Sequence, residues 1–328
     1  MISRRTFLAA VAGGFLAAPR AAGAQQAGKA YRVGFLGNST AALESNLVEP
    51  WREGLRELGY VEGRDLVIEY RWAEGEYDRF PMLIAELVAL EVEVIVTAGT
   101  PAALAVKRAT TTIPLVMVAV GDPVGTGLVA SLARPGGNLT GLVSIAPDLE
   151  GKRLELLREV VPKLSKVSFL VNPANAFHVA SEKQARAAAR TLQLKVHFVG
   201  VRAEPEFDHA FDAIRKERSG AVIMLADRLF LHHRARIVDF AARNRLPAMY
   251  AYTELVDAGG LMSFGPSYPG MHKRAAYFVD RILKGARPAD LPMEQPSKFE
   301  LVMNLKTARA LGLTIPPSLR LRVDRVIE

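Results

Sequence analysis

The stretch VEVIVTAGTPAALAV, from Val92 to Val106, holds a whole strand-to-helix unit, and its reading decides the fold. Val92 to Val96 is apolar and rich in branched side chains, the composition of a strand covered on both faces. Ala98-Gly99 ends the run. Thr100 is expected as the N-cap of a helix, with Pro101 at its first position, where a missing N–H costs nothing. The same order recurs on either side. Tyr31 to Leu36 reads as a strand that stops at Gly37-Asn38-Ser39, with a helix from Glu44 to Leu58 ended by Gly59. Leu66 to Tyr70 is a second strand, followed by a helix from Asp78 to Leu90, and Leu115 to Val120 is a fourth strand ending at Gly121-Asp122-Pro123. Strands alternating with amphipathic helices make βαβ units on a parallel sheet.

The segment from Asp122 to Gly141 has another texture, with glycine, proline and asparagine around one expected short helical turn. Beyond it the alternation restarts. Helices are expected at Leu149 to Val160, Ala176 to Leu192, Glu206 to Arg218 and Phe230 to Asn244, with strands at Val167 to Val171, Val196 to Val199, Val222 to Leu225 and Ala248 to Tyr250. Leu261 to Phe264 is a further strand, Tyr268 to Lys284 a long helix, and Phe299 to Leu305 a closing strand before a helix at Thr307 to Leu311. The expected fold class is α/β, two doubly wound parallel-sheet lobes of similar size facing each other across a cleft. No residue-level repeat relates the halves.

Residues 1–24 read as an export signal: Arg4 and Arg5, an apolar run from Phe7 to Ala18, and Ala22-Gly23-Ala24 as a small-residue cleavage site. The apolar run is too short to span about 30 Å of hydrocarbon, so no stable membrane insertion is expected after cleavage. Ser3-Arg4-Arg5-Thr6-Phe7-Leu8 is similar to a twin-arginine signal, and an ordinary secretory signal with two arginines is the alternative. Cleavage removes Arg4, Arg5 and Arg20 with no acid, taking the formal charge from +8 to +5. So mild an excess, without a Lys/Arg run, argues against a nucleic-acid partner. The cysteine count of zero excludes a disulfide framework, a cysteine zinc site and a lipid-anchoring cysteine. The expectation is a periplasmic monomer that needs neither cofactor nor metal.

In open parallel sheets ligands settle outside the carboxyl ends of the strands, where N–H groups at helix starts are unpaired. The candidate ligand-binding residues are therefore strand-end residues: Asn38, Ser39, Thr97, Gly99, Thr100, Gly121 and Asp122 in the first lobe, and Asn172, Phe177, Asp227, Tyr250, Tyr252 and Gly265 beyond it. Each has a second reading. The Asp227 carboxylate either holds a ligand ammonium or caps the next helix. Thr100 and the N–H groups around Gly99 cradle a carboxylate or simply start a helix. Asn38 and Ser39 reach a ligand or make a turn, and Asp122 contacts a ligand or fixes its own turn. Phe177, Tyr250, Tyr252 and Tyr268 stack on a flat ligand or belong to core and rim. Arg228, next to Asp227, favours an anionic solute or points to solvent.

DPVGTGLVASLARPGGNLTG (Asp122 to Gly141), AGTPAA (Ala98 to Ala103), PADLP (Pro288 to Pro292) and FELVMNLKTARALGL (Phe299 to Leu313) closely resemble the tryptophan/tyrosine-type family of ABC transporter substrate-binding proteins. The resemblance covers nearly all of the chain after the signal. It implies a type I periplasmic-binding fold with a three-crossover hinge: an N-terminal lobe of residues 30–143 and 265–285, a C-terminal lobe of 144–264, and a C-terminal segment of 286–328 crossing between them. It also implies a small-molecule solute, with ABC transporter permease subunits as partners. Some members bind aromatic amino acids. This chain departs from such relatives in having Ala251-Tyr252-Thr253 where a small, acidic element is frequent, and Arg228 where a small polar residue is usual.

Enzyme readings lack their motifs. There is no HExxH, GxSxG or GxxxxGK[ST], Gly121 to Gly127 lacks the phosphate-loop lysine, and Gly34 and Gly37 do not complete GxGxxG. His232-His233 are adjacent on an expected helix and diverge, unlike an i, i+4 metal pair. A ligand-sensing partner of a membrane receptor would share every feature above, whereas an exported α/β enzyme would need a catalytic cluster that is not found.

Overall fold

The computed structural model describes residues 30–144 and 149–328; the export-signal reading of residues 1–24 lies outside them. The first lobe is built from β1 (Tyr31–Gly37), α1 (Ser45–Glu57), β2 (Leu66–Trp72), α2 (Phe80–Ala89), β3 (Val94–Ala98), α3 (Thr100–Ala109), β4 (Leu115–Val120) and β5 (Leu139–Val143). The second follows with α4 (Leu149–Val160), β6 (Lys166–Val171), α5 (Phe177–Thr191), β7 (Lys195–Gly200), α6 (Phe207–Glu217), β8 (Ala221–Met224), α7 (Arg228–His232), α8 (Arg234–Arg243), β9 (Ala248–Tyr250), α9 (Thr253–Asp257) and β10 (Met262–Pro266). The chain then makes α10 (Tyr268–Leu283), β11 (Phe299–Asn304), α11 (Leu305–Ala310), α12 (Pro317–Arg320) and β12 (Arg325–Ile327).

Among the described residues one sheet has five strands in the order β2-β1-β3-β4-β5, the other seven in the order β12-β11-β10-β9-β8-β6-β7. Pairing is parallel throughout except between β10 and β11. Both sheets are doubly wound, with the order reversing between β1 and β3 in one and between β6 and β8 in the other. A crevice opens at such a reversal, because the helices leave for opposite faces.

The period-2 pattern of β3 shows how each sheet is covered. Val94, Val96 and Ala98 join the apolar cluster of α1 and α10, whereas Ile95 faces that of α2 and α3. Trp51 of α1 is fully buried with its ring centroid 5.2 Å from that of Phe35. In the second sheet Val222 and Met224 face Phe207, Phe211 and Phe240, and Ala221 and Ile223 face the α4/α5 side with Leu154 and Ala185. Helix α10 belongs spatially to the first lobe. Gly54 of α1 lies so close to it that a Cβ there would sit 2.6 Å from the Lys273 carbonyl oxygen, and Tyr60 Oη donates to Asp280 Oδ1 at 3.0 Å. The chain returns past β5, where Val143 N donates to Glu294 O at 2.9 Å, before β11 rejoins the second sheet.

The structure corrects several expectations. Asp122 to Gly141 is not centred on a helical turn: it ends in β5, whose Leu-Thr-Gly-Leu-Val run is hidden behind glycines and asparagine. Gly141 has φ +135°, and a Cβ on it would overlap the Met117 carbonyl oxygen, so only glycine allows β5 to pair with β4 here. The expected helix from Phe230 to Asn244 is two helices, broken at His233. Thr100 is not an N-cap: Gly99, with φ +83°, occupies that position and Thr100 is the first helical residue. The second lobe's sheet is the larger, because β10, β11 and β12 extend it.

Candidate functional site between the lobes

The residues that follow the strand reversals of the two sheets face each other and line one small cavity: Gly99, Thr100, Pro101, Ala119 and Gly121 from the first lobe, and Asn175, Phe177, Ala226, Asp227, Arg228 and Tyr252 from the second. The cavity has room for about one water molecule, so the lobes are shut against each other. On the first lobe, α3 points its N-terminus here, and its first N–H groups have no partner within the helix. Thr100 Oγ1 accepts from Gly121 N at 3.0 Å and donates to Gly121 O at 3.2 Å, pinning the helix start to the end of β4. Beside it, Ala119 adopts φ +54° and the β4/β5 register shifts between Met117 and Val120. This bulge turns the end of β4 towards the cavity. Gly121 must lack a side chain, because a Cβ there would collide with the Phe177 ring of the opposite lobe.

On the second lobe Asp227 is 2 % exposed and both oxygens of its carboxylate accept hydrogen bonds. Oδ1 accepts from Leu229 N at 3.0 Å, which caps α7, from Tyr77 Oη at 2.7 Å and from Asn172 Nδ2 at 3.3 Å; Oδ2 accepts from Asn175 Nδ2 at 2.8 Å. Burial and the adjacent Asp227 charge hold the Tyr77 hydroxyl well above its ordinary pKa, so it stays a donor. Tyr77 crosses from the first lobe, as does Ser39, whose Oγ shares a 2.6 Å hydrogen bond with His232 Nδ1. Burial lowers the His232 pKa, which keeps the ring neutral in this contact. A third crossing bond runs from Asn46 Nδ2 to Glu254 Oε1 at 2.7 Å.

Arg228 stands next to Asp227 in a different condition. It is 3 % exposed, and neither terminal nitrogen has a hydrogen-bond partner among the described residues. Its guanidinium lies 5.4 Å from the Tyr252 ring centroid and 5.2 Å from that of Tyr268, and a Cβ on Gly99 would be 3.3 Å from its Cγ. Glu44 and Glu254 are carboxylates whose charge it feels without a hydrogen bond to either: Glu44 Oε1 accepts from Asn38 N at 3.0 Å and Ser39 N at 2.8 Å, and Glu254 Oε1 from Asn46 Nδ2 at 2.7 Å. Burial pushes the Glu44 pKa up, and Arg228 opposes that shift.

Of the candidates read from the sequence, Gly99, Thr100, Gly121, Phe177, Asp227 and Tyr252 come together on this cavity. Asn38 and Asn172 sit one layer behind it at matching places, each after the first strand of its sheet. Asn38 Nδ2 donates to Ala98 O at 3.0 Å, as Asn172 Nδ2 does to Asp227. Ser39 is an interlobe contact. The structure does not bring four others to the cavity. Thr97 Oγ1 donates to Leu36 O at 2.7 Å inside the sheet, and Asp122 Oδ1 accepts from Gly125 N at 2.8 Å to close its own turn. Tyr250 is a core residue whose ring packs on Gly260, and Gly265 lies against the Ala251 carbonyl and Arg153. Tyr77 and Glu44 were missed: one opens the single 3-10 turn that leads into α2, the other lies one residue before α1, and nothing in their neighbours marks either as facing the other lobe.

The comparisons agree with this architecture. A family model described as ABC transporter substrate binding protein matches residues 43–327. A tyrosine-binding protein of Clostridioides difficile is 25% identical over 262 residues, covering 80% of this chain and 75% of that protein. A conserved domain protein from Vibrio cholerae superimposes with a TM-score of 0.85 at 28% identity, covering 91% of this chain and 100% of the other. An ABC domain from Streptococcus pneumoniae in complex with L-Trp gives a TM-score of 0.84 at 26% identity, with the same coverage. With a family match running from α1 to the last strand, and two facing lobes of the same build as these structures, the chain belongs to the ABC transporter substrate-binding protein family.

Proposed function

We propose that the protein works outside the cytoplasm, in the periplasm, as the monomeric receptor of an ABC importer, taking a small solute between its lobes and presenting the closed form to permease subunits. The observation that carries this reading is the meeting of α3's N-terminus, Gly121 and Tyr77 with Phe177, Asp227 and Arg228 across the cleft. Contacts made by both lobes exist only in the closed form, so a solute touching both selects closure. Closure moves the outer faces of the lobes together, giving a permease a surface that differs between loaded and empty protein. No step requires covalent chemistry. The relatives' solutes, tyrosine and L-Trp, make amino acids and other flat, partly apolar solutes the first class to test. Thermal-shift screening of the purified protein, followed by small-angle scattering with each hit, tests the reading. A hit that raises the melting temperature and compacts the protein supports it, and hits that leave the radius of gyration unchanged would exclude hinge closure.

A further inference from the structure

The two deeply buried arginines of the second lobe differ in what surrounds them. Arg153 is paired with Glu150 at 2.7 Å and donates from Nε to Phe264 O at 2.9 Å. Arg228 has no carboxylate within 4.0 Å and no acceptor for either terminal nitrogen among the described residues. Guanidinium does not lose its proton, so burial leaves a permanent cation whose terminal nitrogens have no acceptor, held only by two tyrosine faces and the more distant charges of Glu44 and Glu254. Closure then sets this cation over Gly99, the N-cap of α3, whose helix dipole is also positive at that end. Two positive groups from opposite lobes therefore converge on one small space.

We propose that the cleft selects a carboxylate solute that carries no ammonium group, held between the Arg228 guanidinium and the first turn of α3. The proposal rests on the solute-receptor reading and names its substrate class. An anion between the two positive groups turns their repulsion into a bridge between the lobes, and so couples binding to closure. A guanidinium with both terminal nitrogens free suits the two oxygens of a carboxylate. The carboxylates near Arg228 already have donors of the protein's own. Asp227 accepts from Tyr77, Leu229, Asn172 and Asn175, Glu44 Oε1 from two backbone N–H groups, and Glu254 Oε1 from Asn46. Among the described residues Asn38 Oδ1 is an orphaned acceptor at these strand ends, a neutral amide oxygen suited to a hydroxyl and not to a buried cation beside Arg228. Phe177, Tyr252 and Pro101 supply apolar faces for the rest of the solute.

The test is a matched panel in which only the head group changes: 3-phenylpropanoate, phenylalanine and phenethylamine; 4-methylpentanoate, leucine and isopentylamine; indole-3-propanoate, tryptophan and tryptamine. Calorimetric affinity and small-angle scattering are read on the wild type, Arg228→Lys and Arg228→Gln. The expected result is that at least one carboxylate binds, compacts the protein, and outdoes its amino-acid and amine counterparts by roughly tenfold or more. Arg228→Gln weakens that carboxylate by roughly 30-fold or more, and Arg228→Lys, which keeps the charge and loses the fork, by less. Circular dichroism on both variants separates lost binding from lost folding. If amino acids or amines bind and close the lobes better than carboxylates, or if folded Arg228→Gln keeps full carboxylate affinity, the inference falls while the solute-receptor reading stands. If no panel member of any charge compacts the protein, the carboxylate inference falls, and the receptor reading falls with it only if the broader screen also yields no closing solute.

Discussion

Tyr77, on the first lobe, donates a 2.7 Å hydrogen bond to Asp227 Oδ1 on the second and accepts one of 3.1 Å from Leu229 N, so one lobe helps to cap a helix of the other. The bond ends on a charged acceptor in a buried setting, where such bonds are worth about 1.5–3 kcal/mol. Tyr77→Phe removes it and leaves the ring's packing against Phe80 in place. The expected outcome is a larger radius of gyration by small-angle scattering and a solute affinity weakened roughly tenfold or more, with little change in secondary structure. Unchanged scattering would show that this bond does not hold the lobes together.

Asp227→Ala should cost more than a binding contact. It removes the side-chain cap of α7 and leaves Asn172 Nδ2, Asn175 Nδ2 and Tyr77 Oη without an acceptor. Loss of the cap costs about 1 kcal/mol and orphaned buried donors about 1–3 kcal/mol. Differential scanning calorimetry should record a melting temperature several degrees lower before any solute is added. A variant as stable as the wild type would mean that the carboxylate is free for another role.

Gly121→Ala should keep both lobes folded and keep them apart, because the new methyl group meets the Phe177 ring only when the cleft shuts. Phe177→Ala in the same chain should restore closure. The double-mutant cycle, read by scattering and solute affinity, is expected to show a coupling of about 1 kcal/mol or more. Independent effects would place the Phe177 ring elsewhere in solution.

Acid should destabilise the fold through His272. Burial, with the charge of Arg228 adding to it, pushes this ring down from an ordinary value of 6.5 to about 3, and the ring bonds the Tyr268 carbonyl at 2.8 Å. The unfolded chain takes up the proton near pH 6.5 and the folded one only near pH 3. Between these values the unfolded state binds more protons, so stability is complete above pH 6.5 and falls as the pH drops through that window. The slope is at most about 1.4 kcal/mol per pH unit from this residue. Melting temperatures from pH 7 to pH 4 should show the fall, and His272→Asn should flatten it.

The lobes were legible because their signals are local. Val92 to Val96 before Gly99-Thr100-Pro101 is strand, turn and helix in one run, and the reversals that place Asn38, Gly99, Asn172 and Asp227 follow from repeating that unit. What the chain does between its lobes was less legible, because it depends on pairs far apart in sequence. Asp227 was read as cap or ligand group, and its partners Tyr77 and Asn175 lie 150 and 52 residues away. Tyr250 and Tyr252, two residues apart, look equivalent beside a strand end, yet Tyr250 is the last residue of β9 and fills the core, whereas Tyr252 lies beyond the strand, free of its alternation, and lines the cavity. Strand β5 was missed because the glycine that lets it pair with β4 is also the residue that signals a loop.

Helix α10 leaves the seven-stranded sheet at β10, lies along α1, and the chain then returns to pair β11 beside the strand it left. Anyone dividing the gene into halves should expect neither to stand alone. A fragment stopping at residue 266 strips α1 of its neighbour and β10 of its antiparallel partner, and one starting there has two strands with no sheet to join. The same stitching makes nicked protein a sensitive probe: a single protease cut near residue 296 should leave the pieces associated, separating only when both lobes melt.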